Sequence, residues 1–314
     1  MIPIGLALAP PVPDVPDALA DLLGRAREAA AAGMASLWLG QVYDIDALTA
    51  WAAIGARVPS VLLGTAVVAV HSRHPIAMSS QAKTTQVAVG GRLCLGLGVG
   101  HRATAEDRYG ISFDRPALRM REYLEALQPL LTRGEAGFHG RTVTADTRGW
   151  PADVPGAGPP PVLVAAMGPA MLRAAGELAG GTVTWLAGPR TIAGHIRPAL
   201  DKAAAGRPAP AVVASLPVCL TDDAEAARDR AAAALGFYAA VPAYRNVLDR
   251  EGAASPADVA LIGDERVLDQ SLARLVDAGV THLVANMSGF VTEEERLRTL
   301  EYLASRSAPA DGRL

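Results

Sequence analysis

Short apolar runs alternate along the chain with longer stretches in which apolar residues recur every three or four positions. The first pattern is typical of strands buried on both faces, and the second of amphipathic helices. Their regular alternation predicts repeated βα units around a parallel sheet. We predict eight strands, over residues 4–9, 36–40, 61–68, 92–98, 161–167, 182–187, 211–220 and 281–286.

Eight βα repeats are the number that closes a parallel sheet into a barrel. The 314 residues fall within the usual size of one such barrel with insertions. We therefore predict an α/β protein with a single (β/α)8 TIM-barrel domain over residues 1–314. Residues 134–160 are rich in Gly and Pro, and residues 237–263 mix helical and irregular patterns. Because long connections are usually lids or binding loops, we predict an insertion in each of these two segments.

Composition removes several classes of function. The formal charge is −3 and no basic run occurs, so nucleic-acid binding is not expected. The N-terminus lacks a basic leader, and Gly, Pro or charge interrupts every long apolar stretch, which predicts a cytoplasmic protein without a membrane anchor. Cys94 and Cys219 lie in apolar strand patterns, where a buried hydrophobe is expected rather than a disulfide or a nucleophile.

Glycine and polar residues follow four of the predicted strands, where active sites of βα barrels gather. These residues are Gln41 and Tyr43 after the second strand, His71, Arg73 and His74 after the third, Val99 to Arg102 after the fourth, and Met167 to Pro169 after the fifth. We expect these four strand ends to face one cavity. His71 and His74 have no accompanying carboxylates or cysteines at ligand spacing, so no metal site is predicted.

The alternating glycines Gly96, Gly98 and Gly100 allow three interpretations. A Rossmann phosphate loop is disfavoured because no acidic residue ends the next strand. The glycines could relieve crowding inside a narrow barrel. We favour the third interpretation, in which they allow a flat ring system to approach the backbone closely, because glycine has no Cβ.

Two further features point to ligand binding. Gly168 and Pro169 stand between a strand and a helix, and they indicate a helix N-terminus that could bind a cofactor phosphate. The alternative is an ordinary proline in a first helical turn. His101, directly after the fourth strand, is a candidate proton donor, phosphate contact or solvated loop histidine.

Ten short motifs occur in order between residues 63 and 279. They are Leu63-Gly64-Thr65-Ala66-Val67, Arg73-His74-Pro75, Gly90-Gly91-Arg92-Leu93, Leu95-Gly96-Leu97-Gly98, Gly100-His101-Arg102, Asp114-Arg115-Pro116, Arg121-Glu122-Tyr123-Leu124, Gly168-Pro169-Ala170-Met171-Leu172-Arg173-Ala174-Ala175-Gly176-Glu177-Leu178-Ala179, Gly263-Asp264-Glu265 and Asp277-Ala278-Gly279. In this combination they resemble the luciferase-like flavin and deazaflavin oxidoreductases. Within that family the chain is most similar to the branch that uses coenzyme F420, a 5-deazaflavin, and FMN is the alternative cofactor.

The resemblance implies a bacterial luciferase-like barrel and a set of cofactor contacts. A non-prolyl cis peptide is implied at Ala66-Val67, where it supports the back of the deazaflavin ring. Ring and tail contacts are implied from Gly98 to His101, and phosphate contacts from Gly168. The full set of implied cofactor-binding residues is Gly64, Thr65, Ala66, Val67, Gly98, Val99, Gly100, His101, Met167, Gly168 and Pro169.

One departure from the family pattern limits what the resemblance implies. Sugar-phosphate dehydrogenases of this family carry an Asp-His pair after the second strand, where this chain has Gly40 and Gln41. They also carry a Glu acid after the fourth strand, at the position of His101. Sugar-phosphate oxidation is therefore not expected.

A deazaflavin transfers hydride and reacts poorly with oxygen, so the resemblance implies an F420H2-dependent reductase or dehydrogenase. We expect reduction of an activated C=C or C=N bond in a small-molecule substrate, with His101, Gln41 and Tyr43, in that order, as candidates for polarising the acceptor or relaying the proton. The alternatives are an FMN-dependent monooxygenase and a cofactor-binding protein without catalysis. The sequence is compatible with a homodimer.

Overall fold

A computed structural model describes residues 1–10, 15–58 and 61–309. The strands in these ranges are β1 (Ile4–Leu8), β2 (Ser36–Leu39), β3 (Leu62–Thr65), β4 (Val68–Ala69), β5 (Leu93–Gly98), β6 (Gly137–His139), β7 (Thr144–Asp146), β8 (Val162–Ala165), β9 (Gly181–Trp185), β10 (Ala211–Leu220), β11 (Leu261–Gly263) and β12 (His282–Asn286). Eight of them close a parallel barrel in the order β1, β2, β3, β5, β8, β9, β10, β12 and back to β1. The predicted TIM-barrel fold is confirmed.

Helices surround the barrel. They are α1 (Ala18–Ala32), α2 (Ala47–Ile54), α3 (Pro75–Ala88), α4 (Pro116–Arg133), α5 (Pro169–Leu178), α6 (Pro189–Thr191), α7 (Arg197–Ala203), α8 (Ala224–Leu235), α9 (Pro242–Glu251), α10 (Glu265–Asp277) and α11 (Glu293–Arg306). Within the described ranges, none of them is both long enough and apolar enough to cross a bilayer.

The eight predicted strands form because their residues are apolar on both faces. All ten residues of β10 are buried, between the barrel interior on one side and helices on the other. The prediction of one strand over residues 61–68 was too long. β3 ends at Thr65, and Val68 and Ala69 form the separate strand β4, which pairs with β5.

Side chains fill the barrel interior. The interior cluster includes Trp38, Cys94, Leu163, Val183, Val213 and Val284. Gly64 lies directly against Trp38, and a Cβ at Gly64 would fall 2.2 Å from the indole ring. Both cysteines are free and buried, and burial raises the pKa of each thiol. The packed interior means that a ligand can bind only above this layer, at an end of the barrel.

The two segments predicted as insertions have defined structures. Residues 134–160 contain the antiparallel hairpin of β6 and β7, which the sequence did not predict. The segment around residues 237–263 contains α9 and ends in β11, which pairs in parallel with the end of β10. None of these three short strands has an apolar run long enough to be recognised from the sequence.

Candidate active site

The carboxyl ends of β2, β3, β5 and β8 lie side by side, because these strands are consecutive around the barrel. Ala66 and Val67, after β3, and Ala165, at the end of β8, pack partly exposed on the interior cluster. A Cβ at Gly98 would lie 2.6 Å from Cγ2 of Val67 and 3.5 Å from Cβ of Ala165. These contacts place an apolar floor at the mouth of the barrel.

The backbone after β3 is attached to the end of β2. The amide of Ala66 donates to the carbonyl of Leu39 at 2.8 Å, and the amide of Gln41 donates to the carbonyl of Val67 at 3.3 Å. The peptide bond between Ala66 and Val67 is cis, as the family resemblance implies.

Gly64 and Thr65 lie below the floor, in the barrel wall. The Thr65 hydroxyl is fully buried, donates to the carbonyl of Gly96 at 2.8 Å and accepts from the Gly96 amide at the same distance. A Cβ at Gly96 would lie 1.9 Å from the Thr65 carbonyl oxygen. Crowding between β3 and β5 therefore accounts for Gly96, and the contact with Val67 accounts for Gly98 in the same way.

Gly100 and His101 begin the loop after β5. Gly100 has a φ of 68°, and a Cβ there would lie 2.9 Å from Cε1 of His71. The imidazole of His101 contacts the ring of Tyr244, with the centroids 5.9 Å apart. No group of the described chain hydrogen-bonds its ring nitrogens. Partial burial lowers the pKa of His101 below the ordinary value, so the ring is mainly neutral at pH 7 and retains one N–H to donate.

The other two candidate catalytic residues are occupied by structural contacts. The side-chain oxygen of Gln41 accepts from the Ala47 amide at 3.1 Å and from Nη2 of Arg73 at 3.3 Å, so it holds the start of α2. The Tyr43 hydroxyl is 3.0 Å from Oγ1 of Thr104, which joins the loops after β2 and β5. Of the three candidates, His101 is the one whose side chain makes no hydrogen bond within the described chain.

The N-terminus of α5 is open to solvent. Gly168 precedes the helix with extended backbone, no side chain caps it, and nothing lies within 4 Å of a Cβ built on it. The first helical hydrogen bond runs from the Leu172 amide to the Gly168 carbonyl, so the N–H groups of Ala170 and Met171 are left for an external acceptor. Pro169, the first helical residue, has no N–H. Next to it, the Met167 carbonyl contacts Nε2 of His195 at 2.9 Å. This geometry is suited to an anion.

An aromatic row, which the sequence did not predict, crosses the mouth of the barrel. We define it as Trp185, Tyr238, Tyr244 and His101. Trp185, at the end of β9, lies 5.7 Å from Tyr238, Tyr238 lies 5.1 Å from Tyr244, and Tyr244 contacts His101, all measured between ring centroids. The row joins the helical segment after β10 to the loop after β5. The two tyrosines in residues 237–263 were the only signal in the sequence.

The two histidines after β3 have different partners. Nδ1 of His74 accepts from the Ile76 amide at the start of α3, and its Nε2 contacts the Thr144 carbonyl in the hairpin at 2.7 Å. Nδ1 of His71 lies 3.3 Å from the Val99 carbonyl. Within the described residues there is no group of three or more His, Cys, Asp or Glu side chains that could hold a metal ion.

Two carboxylates near the mouth are both paired with arginine. Asp46 pairs with Arg73, and Glu106 pairs with Arg102 at 2.5 Å. The arrangement thus offers an apolar floor, an anion site at a helix N-terminus and an imidazole with free nitrogens. These features suit a planar ligand with an apolar ring and an acidic tail.

The chain matches the family model described as luciferase-like monooxygenase over residues 4–298. A protein of Mycobacterium tuberculosis named as a coenzyme F420-dependent oxidoreductase is 28% identical over 270 residues, which cover 80% of this chain and 75% of that protein. The 5,10-methylenetetrahydromethanopterin reductase of Methanolobus tindarius is 28% identical over 234 residues, covering 74% of this chain and 70% of the reductase.

Solved structures share the fold. The coenzyme F420-dependent tetrahydromethanopterin reductase from Methanopyrus kandleri superposes with a TM-score of 0.79 at 21% identity, covering 96% of this chain and 97% of the reductase. A type II Baeyer-Villiger monooxygenase from Pseudomonas putida, solved in complex with FMN, gives a TM-score of 0.76 at 16% identity and covers 98% of each chain.

Proposed function

Because the chain belongs to the luciferase-like monooxygenase family, we propose that it is an oxidoreductase that binds coenzyme F420 at the mouth of the barrel. The names of two proteins of similar sequence support F420 rather than FMN as the cofactor. One is named as a coenzyme F420-dependent oxidoreductase, and the other as a 5,10-methylenetetrahydromethanopterin reductase. The proposed reaction is reduction of an activated C=C or C=N bond in a small molecule.

One geometric observation carries this proposal. The apolar floor of Ala66, Val67 and Ala165 lies beside the loop that carries His101, and the chain that leaves β8 leads directly to the open N-terminus of α5. A deazaflavin needs an apolar surface for its ring and an anion site for its phosphate, and the residues present fit both needs.

The protein supplies position and a proton to this reaction. When bound, reduced F420 supplies the hydride. The floor excludes water from one face of the ring, and Gly168 with the first turn of α5 holds the phosphate. His101 stands at the edge of the mouth, where its N–H polarises the acceptor and its protonated form delivers the proton that completes the reduction.

The residues after β2 do not support alcohol oxidation by a histidine base at that position. Gly40 has no side chain, and a Cβ there would lie 3.3 Å from the Ala66 carbonyl oxygen. Gln41 is engaged with Ala47 and Arg73. We therefore propose reduction of an unsaturated acceptor as the direction of the reaction.

The second candidate function is an FMN-dependent monooxygenase on the same barrel. It is favoured by the shared fold with the FMN-bound Baeyer-Villiger monooxygenase. Both cofactors present a flat ring and a phosphate, so the floor and α5 alone do not separate them.

The test is a fluorescence titration of the purified protein with F420 and with FMN, followed by turnover assays. We expect F420 to bind at least about tenfold more tightly, a difference of about 1.4 kcal/mol. Loss of F420H2 absorbance on addition of cyclic enones or cyclic imines would then identify the acceptor class. Comparable or tighter FMN binding, with oxygen uptake, would favour the monooxygenase, and tight cofactor binding without any turnover would favour a non-catalytic binding protein.

A further inference from the structure

A cluster of basic side chains lies beside the mouth, between the segment after β4 and the start of α4. We define it as His71, Arg73 and Arg119. The Tyr123 hydroxyl donates to the Arg73 carbonyl at 3.1 Å. Arg119 lies one turn before Tyr123 on the same face of α4 and therefore faces the same segment.

Three buried polar atoms of this basic cluster lack hydrogen-bond partners. They are Nε2 of His71, Nη1 of Arg73 and Nε of Arg119, and they make up half of the six such side-chain atoms in the described residues. His71 is only 8% exposed. Buried polar groups in folded proteins are normally satisfied, so the unpaired N–H groups of Arg73 and Arg119 indicate a missing acceptor. Nδ1 of His71 donates to the Val99 carbonyl and burial lowers the pKa of this imidazole, so its Nε2 is an acceptor at neutral pH.

The charges of the cluster indicate which kind of acceptor is missing. Arg73 is neutralised by Asp46. Arg119, by contrast, forms no ion pair with any carboxylate of the described chain. A partly buried guanidinium without a counter-ion is unfavourable, and its planar N–H groups are suited to phosphate or carboxylate oxygens.

The loop after β5 covers this cluster. The ring of Tyr109 packs edge-on against His71, with centroids 5.1 Å apart, and also stacks on Tyr43. Tyr109 is 42% exposed.

We propose that the unpaired guanidinium N–H groups of Arg119 and Arg73 form a second anion-binding site, which takes a phosphate or carboxylate group of a ligand held in the mouth. The site is separate from the N-terminus of α5. Arg121 pairs with Glu177 of α5, and Arg119, two residues earlier, points to the opposite side of α4. The anion belongs either to the tail of the cofactor or to an acidic substrate, and the site does not depend on which cofactor binds.

Thermal unfolding of the full chain in inorganic phosphate tests the site, with sodium chloride of equal ionic strength as the reference. We expect about 50 mM phosphate to raise the Tm by about 2 °C or more. Arg119→Gln should lose part of this rise, whereas Arg133→Gln, an exposed arginine at the other end of α4, should keep all of it. Arg119→Lys should retain most of the response because it keeps the charge.

Inorganic phosphate is also expected to bind at the N-terminus of α5. The thermal unfolding measurement is therefore repeated with Gly168→Val as the background, because this variant blocks that second position. The part of the response that depends on Arg119 should persist in that background. An equal response in wild type, Arg119→Gln and Arg133→Gln, or no response at all, would overturn the proposal. Neither result would affect F420 binding by the floor, which the fluorescence titration measures separately.

Two titrations identify the source of the anion. If it is the cofactor tail, Arg119→Gln weakens F420 about tenfold or more but leaves the affinity for the deazaflavin fragment without phosphate unchanged. If it is an acidic substrate, Arg119→Gln leaves F420 affinity unchanged and raises KM for carboxylate-bearing acceptors relative to neutral ones. Phosphate stabilisation that depends on Arg119 accompanies both results.

Discussion

The rings of His101 and Tyr244 meet across the mouth of the barrel, with their centroids 5.9 Å apart. His101 belongs to the loop after β5, and Tyr244 belongs to α9. The contact joins the part of the chain that forms the floor to the helical segment that follows α8. Desolvation by the surrounding protein lowers the pKa of His101 below its ordinary value.

His101→Ala is expected to reduce kcat for the reduction about a hundredfold or more, because the acceptor loses its proton donor. Cofactor affinity should change less than about threefold, a free-energy difference of about 0.7 kcal/mol. Stopped-flow turnover and fluorescence titration measure the two effects separately. If affinity falls while turnover of the saturated enzyme survives, His101 binds the cofactor tail, and Tyr43 or ordered water becomes the next candidate for the proton.

The pH dependence of turnover follows from the same residue. The pKa of His101 lies below its ordinary value of 6.5, so the protonated form grows only as the pH falls through that lower value. We expect kcat to rise as the pH falls below 6.5 and to level off below the pKa of His101. The rise should be absent in His101→Ala. A rise that persists in this variant would assign the proton to another group.

Gly168→Val tests the anion site at α5. Nothing lies near a Cβ at Gly168, so the fold should tolerate the change, with a Tm within about 2 °C of wild type. The added side chain stands over the N–H groups of the first turn, so cofactor affinity should fall about tenfold or more. Gly158→Val is a matched control, because Gly158 also precedes a proline and also has open space around it. Equal affinities of the two variants would place the phosphate elsewhere.

Tyr238→Ala tests the aromatic row. Tyr238 contacts both Trp185 and Tyr244, and each aromatic pair contributes about 1 kcal/mol. Removal should loosen the segment over the mouth and raise KM about tenfold, with little change in cofactor affinity. Phe237→Ala is the control, because Phe237 is 70% exposed and the only aromatic ring that it contacts among the described residues is that of Tyr238. A similar KM for the two variants would argue against a substrate-facing role for the row.

Glu122→Gln tests how the hairpin of β6 and β7 is held. The Glu122 carboxylate accepts from the amides of Arg141, Thr142 and Val143 and from the Thr142 hydroxyl. We expect the variant to lower the free energy of unfolding by about 2 kcal/mol, whereas Glu125→Gln, on the same helix but with a side chain that is 31% exposed, should cost less than about 1 kcal/mol. Urea denaturation at pH 7 measures both.

The contribution of Glu122 should also depend on pH. Burial opposes ionisation of this carboxyl, but the hydrogen bonds from Thr142, Arg141 and Val143 outweigh it and lower the pKa of Glu122. A lowered pKa means that the stabilisation is complete above the ordinary value of 4.5 and is lost as the pH falls through the lower folded value. The stability gap between wild type and Glu122→Gln should therefore narrow below pH 4.5. A constant gap would show that ionisation of Glu122 does not stabilise the hairpin.

The barrel could be predicted because the same sequence pattern, an apolar strand followed by an amphipathic helix, occurs eight times along the chain. Each strand is an apolar run buried on both faces, and a small error in one boundary, such as the end of β3, does not alter the count. The family resemblance inferred from the ordered motifs is also confirmed by the match over residues 4–298. Apolar runs and short motifs consist of neighbouring residues, so they can be recognised in the sequence without knowledge of the fold.

The site was harder to predict because its contacts join distant residues. The sequence placed Gln41, Tyr43 and His101 near one another, but it could not show that Gln41 is held by Ala47 and Arg73. It also could not show that Gly96 is required by the Thr65 carbonyl, an interaction between two strands.

The position of the aromatic row has a consequence for how this protein could change its substrate. The floor and the N-terminus of α5 come from residues before 180, whereas Tyr238 and Tyr244 come from the segment after α8. In the proposed arrangement, the cofactor floor and its anion site therefore lie in a different stretch of the chain from these two tyrosines of the aromatic row. Mutational libraries confined to residues 236–251 should yield altered acceptor preference among variants that still bind the cofactor, and recombination with a related chain near residue 235 should exchange one property without the other.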